Sequence, residues 1–261
     1  SRGLGGKKHG SAGQGESECH RRPWFTCACC PPNVLRFFPQ VGSMIYARDG
    51  DDIYVNLYVG SETTIPVAGT NVKLVQATQY PWDGGVKIGL APEEPTEFTL
   101  YLRIPGWCEA PHLSVNRMAF PELDIKDGYV AVTRKWQRGD TVLLGLSMSV
   151  KRMVSHPEVG ADVGRTALMR GPLVYCFEQA DSPDGVLDLV ISPKGSIATE
   201  ERPDLLDGVV VLHGQGALLQ RSAWEGKLYQ PLEALVAQPL NFTAVPYYAW
   251  DNRTPGEMIE I

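Results

Sequence analysis

Ile53-Tyr54-Val55-Asn56-Leu57-Tyr58-Val59 places Ile, Val and Leu on one side of an extended chain and Tyr and Asn on the other. This period of two predicts a half-buried β-strand with aromatic side chains on its second face. Just before it, Asp49-Gly50-Asp51-Asp52 is a turn by composition. Met44-Ile45-Tyr46-Ala47 reads as the partner strand, so the whole stretch predicts a hairpin. Working outward toward the C-terminus, further strands are expected over residues 63–67, 71–80, 86–90, 97–104, 112–116, 129–136 and 141–146. Trp82-Asp83-Gly84-Gly85, Pro105-Gly106, Lys126-Asp127-Gly128 and Arg138-Gly139-Asp140 punctuate them. Strands repeating roughly every 8–12 residues between Gly, Pro and Asp turns indicate a β-sandwich or jelly roll.

Residues 150–158 link to a second block of the same texture. Arg170-Gly171-Pro172 before Leu173-Val174-Tyr175-Cys176-Phe177 suggests a bulged or edge strand pair. Residues 186–191, 209–212, 232–237 and 242–250 read as strands, and residues 192–207 as loop. The expectation is an all-β chain of two β-sandwich, jelly-roll-like domains over residues 41–150 and 151–261. Residues 1–40 are expected to hold a flexible tail, a cysteine loop and one short helix, since Ser1 to Gly15 is rich in Gly, Ser, Lys and Gln without periodicity.

Three of the six cysteines, Cys27, Cys29 and Cys30, lie within four residues, directly before Pro31-Pro32-Asn33 and the apolar run Val34-Leu35-Arg36-Phe37-Phe38. Proline is tolerated in the first turn of a helix, so the thiols are expected at or before a helix N-terminus. Partial positive charge at such a terminus favours thiolate over thiol, and thiolates are zinc ligands and nucleophiles. Cysteine is often no more than a small buried hydrophobe, a reading that suits Cys108 and Cys176 beside their apolar neighbours. A Cys-x-Cys-Cys cluster points instead to metal or catalysis. Structural zinc sites commonly pair two separated Cys-x-x-Cys knuckles, and the sequence has no second one. His112, His156 and His213 are dispersed and read as surface or hydrogen-bonded residues. Tyr247, Tyr248 and Trp250 read as packing, although exposed aromatics on β-sandwiches also stack on sugars.

A formal net charge of -6 and a pI near 5.4 argue against a nucleic-acid partner. No apolar run approaches the roughly 18 residues needed to span a bilayer, so no membrane partner is expected. The first residues lack the apolar core of a signal peptide. Few cysteines, three of them clustered, suit a reducing compartment or a bound metal, and the expected location is the cytoplasm.

His20-Arg21-Arg22-Pro23-Trp24-Phe25 followed by Cys27-Ala28-Cys29-Cys30-Pro31-Pro32-Asn33 resembles the signature of glycoside hydrolase family 127, the β-L-arabinofuranosidase family. Tyr46-Ala47, Ile53 to Tyr58, Leu102-Arg103-Ile104-Pro105-Gly106-Trp107, Pro246-Tyr247-Tyr248-Ala249-Trp250-Asp251-Asn252-Arg253 and Gly256-Glu257-Met258 are similar to that family as well. The resemblance runs from His20 almost to Ile261. It implies an active site on an (α/α) barrel with β-sandwich domains after it. It also implies a retaining glycosidase whose nucleophile is the first cysteine of the vicinal pair, forming a thioglycosyl intermediate. By that resemblance Cys29 is the nucleophile and a zinc ligand, and Cys30 a zinc ligand. The implied cofactor is zinc, and the implied substrate a glycan containing L-arabinofuranose. The family's Glu-x-Cys zinc ligands are not carried over, because Ser17 stands two residues before Cys19. Its acid/base glutamate has no counterpart. The expectation is a truncated, weakly active or inactive piece of such an enzyme, with the short helix after Pro32, within residues 1–40, as the last helix of the barrel. The alternatives are a non-catalytic β-sandwich module that binds carbohydrate or a partner, and a thiol–metal site of structural role only. Faces that would pack on a barrel imply a homo-oligomer.

Overall fold

The computed structural model describes residues 29–260. The expectations for residues 1–15, for His20 to Phe25, and for Cys19 and Cys27 lie outside them. The described residues divide into two compact units, one ending at Ser149 and the other starting at Val150. Strands make up 47% of the structure, with one α-helix among the described residues, so the architecture is all-β in two domains.

The first unit opens with helix α1 (Cys30–Ile45). Eleven strands follow: β1 (Tyr46–Asp49), β2 (Asp52–Val55), β3 (Ser61–Val67), β4 (Thr70–Thr78), β5 (Gly85–Pro92), β6 (Thr96–Arg103), β7 (His112–Val115), β8 (Met118–Phe120), β9 (Ile125–Lys126), β10 (Tyr129–Trp136) and β11 (Asp140–Gly145). They form a five-stranded sheet in the order β1-β2-β6-β10-β9 and a six-stranded sheet in the order β3-β4-β5-β11-β7-β8. The hairpin of β1 and β2 pairs Tyr46 with Val55 and Asp49 with Asp52, and Gly50 supplies the positive φ of 57° its turn requires. Strand β2 then runs parallel to β6, with Ile53 opposite Leu100. Alternate residues of the two sheets meet in one core that includes Ile53, Leu100, Leu102, Leu74, Ile88 and Leu144. Trp136 is fully buried within it, and its indole N–H donates to the Phe98 carbonyl at 3.0 Å. On the opposite face of the five-stranded sheet, Tyr54 stacks on Tyr101 at 4.3 Å and meets Tyr129 edge-on at 5.5 Å.

Two local expectations change. The helix is not short: it runs for 16 residues and takes in Met44 and Ile45, which read as strand. Its end is set by the Ile45 carbonyl, which accepts the amides of Asn56 at 2.8 Å and Leu57 at 3.3 Å. Those two bonds also draw the chain out of the β-ladder, so β2 ends at Val55 rather than Val59. Tyr58 turns inward as a result, 6% exposed, and its hydroxyl donates to the Arg103 carbonyl at 2.5 Å. Burial raises its pKa strongly.

The second unit carries β12 (Val150–Met153), β13 (Ala167–Arg170), β14 (Leu173–Glu178), β15 (Leu189–Ile191), β16 (Ile197–Arg202), β17 (Val209–Leu219), β18 (Ala237–Pro246) and β19 (Met258–Ile259). The main path is β12-β13-β14-β18-β17-β15, with β16 on β17 and β19 on β14. Strands β17 and β18 form a long antiparallel ribbon, from Leu212 opposite Ala244 to Leu219 opposite Ala237. Leu168, Tyr175, Phe177, Leu212 and Phe242 pack as one cluster, and Cys176, Val209, Val211 and Val245 as another. Residues 192–207 are not all loop, because β16 pairs there with β17. Leu232–Ala234 is a 3-10 turn rather than strand, and Tyr247–Ala249 ends β18 as another. Arg253 ties the turn after β18 to β14. Its guanidinium donates to Glu178 at 3.0 and 2.5 Å and to Asp181 at 2.8 and 2.5 Å.

Candidate functional site

The first turn of α1 is Cys30-Pro31-Pro32, with Cys29 at its N-cap. The prolines suit this place because their missing N–H groups belong to the turn whose donors have no intrahelical partner. Cys29 and Cys30 are both exposed, and their sulfurs are 3.7 Å apart, too far for a disulfide. That spacing fits a metal. Two zinc–sulfur bonds of about 2.3 Å at a tetrahedral angle span about 3.8 Å from sulfur to sulfur. The pair can therefore occupy one edge of a zinc tetrahedron without rearrangement. It supplies two of about four ligands, and among the described residues no cluster of three or more His, Cys, Asp and Glu could complete the set.

Elsewhere the titratable groups are placed by strand register. Cys108 is 8% exposed and Cys176 fully buried. Burial pushes the Cys176 thiol up to about 12, so neither resembles the exposed pair. His112 lines a groove of about 500 Å³ on the outer face of the six-stranded sheet, beside Lys87 and Ser114. His156 accepts the Glu158 amide on Nδ1 at 3.2 Å. His213 lies between two neighbours. Thr243 Oγ1 is 3.1 Å from its Nδ1, and Glu200 Oε2 is 2.7 Å from its Nε2 but off the line of a hydrogen bond. This hydroxyl–imidazole–carboxylate row was missed in the sequence, because β16, β17 and β18 assemble it from three segments. Strand pairing is its only signal: Thr243 lies directly opposite His213, and Glu200 two residues along from His213's partner Ala198.

Tyr247 and Trp250 stack with near-parallel rings at 6.0 Å, and Tyr247 and Tyr248 stay 40% and 46% exposed. In the first unit Tyr80 stacks on Trp107 at 6.3 Å, and Tyr58 meets Tyr80 edge-on at 6.1 Å. No helix among the described residues is long and apolar enough to cross a membrane.

Comparison with known proteins places these features. Residues 52–148 match the family model described as the middle domain of GH127 β-L-arabinofuranosidase. Residues 150–259 match the C-terminal domain of glycoside hydrolase family 127. A non-reducing end β-L-arabinofuranosidase of Bifidobacterium longum is 35% identical over 253 residues, covering 92% of this chain and 37% of the relative. The crystal structure of a GH127 β-L-arabinofuranosidase from Geobacillus stearothermophilus T6 superposes with a TM-score of 0.86 at 43% identity, over 93% of this chain and 38% of that one. A second solved GH127 β-arabinofuranosidase gives a TM-score of 0.79 at 33% identity, over 92% of this chain and 39% of that one. The chain thus spans somewhat over a third of the length of the relatives it matches.

Proposed function

The chain belongs to glycoside hydrolase family 127, to whose middle and C-terminal domains it corresponds, and from that premise we propose that its residues serve a retaining glycosidase of the β-L-arabinofuranosidase type. In this reading Cys29 is the nucleophile, and Cys29 and Cys30 are zinc ligands. The substrate is a glycan bearing L-arabinofuranose. The observation that carries the reading is the vicinal pair itself: two exposed thiols at a helix start, with sulfurs at a spacing that suits a tetrahedral metal.

The Cys29 sulfur attacks the anomeric carbon as the glycosidic C–O bond breaks, and the leaving oxygen takes a proton from an acid. Water then displaces the sulfur from the opposite face. Two inversions return the starting configuration, with thiolate in the place of the second carboxylate that most retaining glycosidases use. When bound, zinc supplies charge that keeps the thiolates deprotonated near neutral pH. The proton donor must stand within about 2.6–3.2 Å of the leaving oxygen, or one water away, and no glutamate among Glu16 and Glu18 matches the family's acid motif. A nucleophile without its acid loses on the order of 10²–10⁴ in rate, and more where the pocket that aligns the sugar is missing.

The expected outcome is feeble hydrolysis of an aryl β-L-arabinofuranoside by the 261 residues assayed by themselves. Retaining turnover is expected from a polypeptide that adds the N-terminal portion its relatives have. In that longer form Cys29→Ala is expected to abolish turnover. Full activity of that variant overturns the role of Cys29, and robust turnover by the 261 residues overturns the need for an outside acid.

A further inference from the structure

We propose that Cys29 and Cys30 form a site of reversible oxidation, at which a hydroperoxide joins the two thiols in a disulfide within one chain. The proposal goes beyond the glycosidase reading and needs neither the metal nor the sugar. It rests on placement. The two sulfurs are 3.7 Å apart on adjacent residues, both exposed at the start of α1. An accessible thiol with a second thiol beside it to resolve the first oxidation product is the arrangement found in redox-sensitive cysteine pairs. The other two cysteines among the described residues are buried, Cys108 at 8% exposure and Cys176 at 0%, so of the four described cysteines a peroxide in solution meets Cys29 and Cys30 first.

The chemistry balances. The Cys29 sulfur attacks one oxygen of hydrogen peroxide, the O–O bond breaks, and the departing oxygen leaves as water once protonated. Cys29 is then a sulfenic acid. The Cys30 sulfur attacks the Cys29 sulfur, an S–S bond forms, and the S–O bond breaks. The hydroxyl departs as water with the Cys30 proton. Two thiols give up two electrons, and one peroxide becomes two waters. The product is easily reversed. Adjacent Cα atoms lie about 3.8 Å apart across a trans peptide, closer than the roughly 4.4–6.8 Å of ordinary disulfides. A disulfide held in so small a ring is strained, and strained exposed disulfides are the readily reduced ones. While closed, it withdraws both sulfurs from any metal and from any substrate.

The test treats the full chain, stripped of metal with EDTA, with graded hydrogen peroxide and measures its intact mass under non-reducing conditions. The expected result is a loss of about 2 Da in the monomer, one disulfide's two hydrogens, reversed by dithiothreitol. The loss is expected to persist in Cys27→Ser and to vanish in Cys30→Ser, where Cys29 is instead trapped as a sulfenic acid by dimedone. Loss of the change in Cys27→Ser overturns the assignment, because it makes Cys27 the partner. Disulfide-linked dimers, or sulfinic acid on Cys29 with Cys30 still a thiol, overturn it too.

Discussion

At the residue scale, one side chain can carry opposite chemistry at two positions because exposure differs. Cys29 and Cys30 face solvent, whereas burial holds the Cys176 thiol up to about 12 and keeps it protonated. Metal analysis of anaerobically purified protein is expected to find zinc above the level of the Cys29→Ser/Cys30→Ser double variant. Equal zinc in the two removes the metal from this site. Arg253 makes the other sharp prediction. It is 16% exposed and faces Glu178 at 6% and Asp181 at 20%, and its hydrogen bonds to Asp181, then to Glu178, raise its own pKa. Arg253→Met leaves two neighbouring carboxylates without their cation. Removing one partner of a buried ion pair costs about 3–5 kcal/mol, and the partial exposure of Asp181 points to the lower end of that range. The midpoint of denaturant unfolding measures it, and an unchanged midpoint assigns the cluster no role in stability.

At the element scale, turns and ladders constrain single positions tightly. The Gly84 carbonyl accepts the Leu146 amide at 2.8 Å, and a Cβ on Gly84 would lie 1.8 Å from the Leu146 carbonyl oxygen. Backbone cannot yield to a methyl group there without breaking the contact between the turn before β5 and the end of β11. Gly84→Ala is therefore expected to cost about 3 kcal/mol or more, at the upper end of overpacking effects, with a lower thermal midpoint as the readout. Helix α1 is the opposite case. Leu35 and Phe38 are each 64% exposed and Phe37 is 52% exposed, and Cys29 makes no side-chain cap. Pro39 inside the helix removes one of its hydrogen bonds. Isolated helices of this length are marginal in water, so α1 needs a surface to cover it. The apolar run from Val34 to Phe38 announced a helix. Its extension to Ile45 was not legible there, because the carbonyl that ends it bonds to residues 56 and 57.

At the scale of the whole molecule, the apolar face of α1, left exposed among the described residues, predicts behaviour in solution. Exposed apolar side chains that lack a partner within a chain drive association between chains. The 261 residues are expected to sediment with a concentration-dependent mass. Leu35→Asp/Phe38→Asp is expected to remove that dependence while leaving thermal unfolding of the β-sheets within about 0.5 kcal/mol, as for surface substitutions generally. A monomer at all concentrations before the substitution sinks the expectation. Each unit has its own buried clusters, built from inward-facing residues of its strands.

Local pattern by itself determined the all-β class, because a half-buried strand writes its burial into the sequence with a period of two. Tyr129 to Trp136 and Asp52 to Val55 show this directly. Local pattern also singled out the Cys27-Ala28-Cys29-Cys30 stretch, since thiols crowded into four residues are visible without any fold. Only the tertiary structure decided which polar residues meet. The row of Thr243, His213 and Glu200, and the clasp of Arg253 on Glu178 and Asp181, join residues 13 to 75 positions apart. Strand β16 was hidden for the same reason: its exposed polar run Thr199-Glu200-Glu201 has no apolar alternation, and it is a strand because β17 offers it hydrogen bonds. Periodicity records which side of an element is buried, whereas pairing between distant elements is set by register, which no single segment carries.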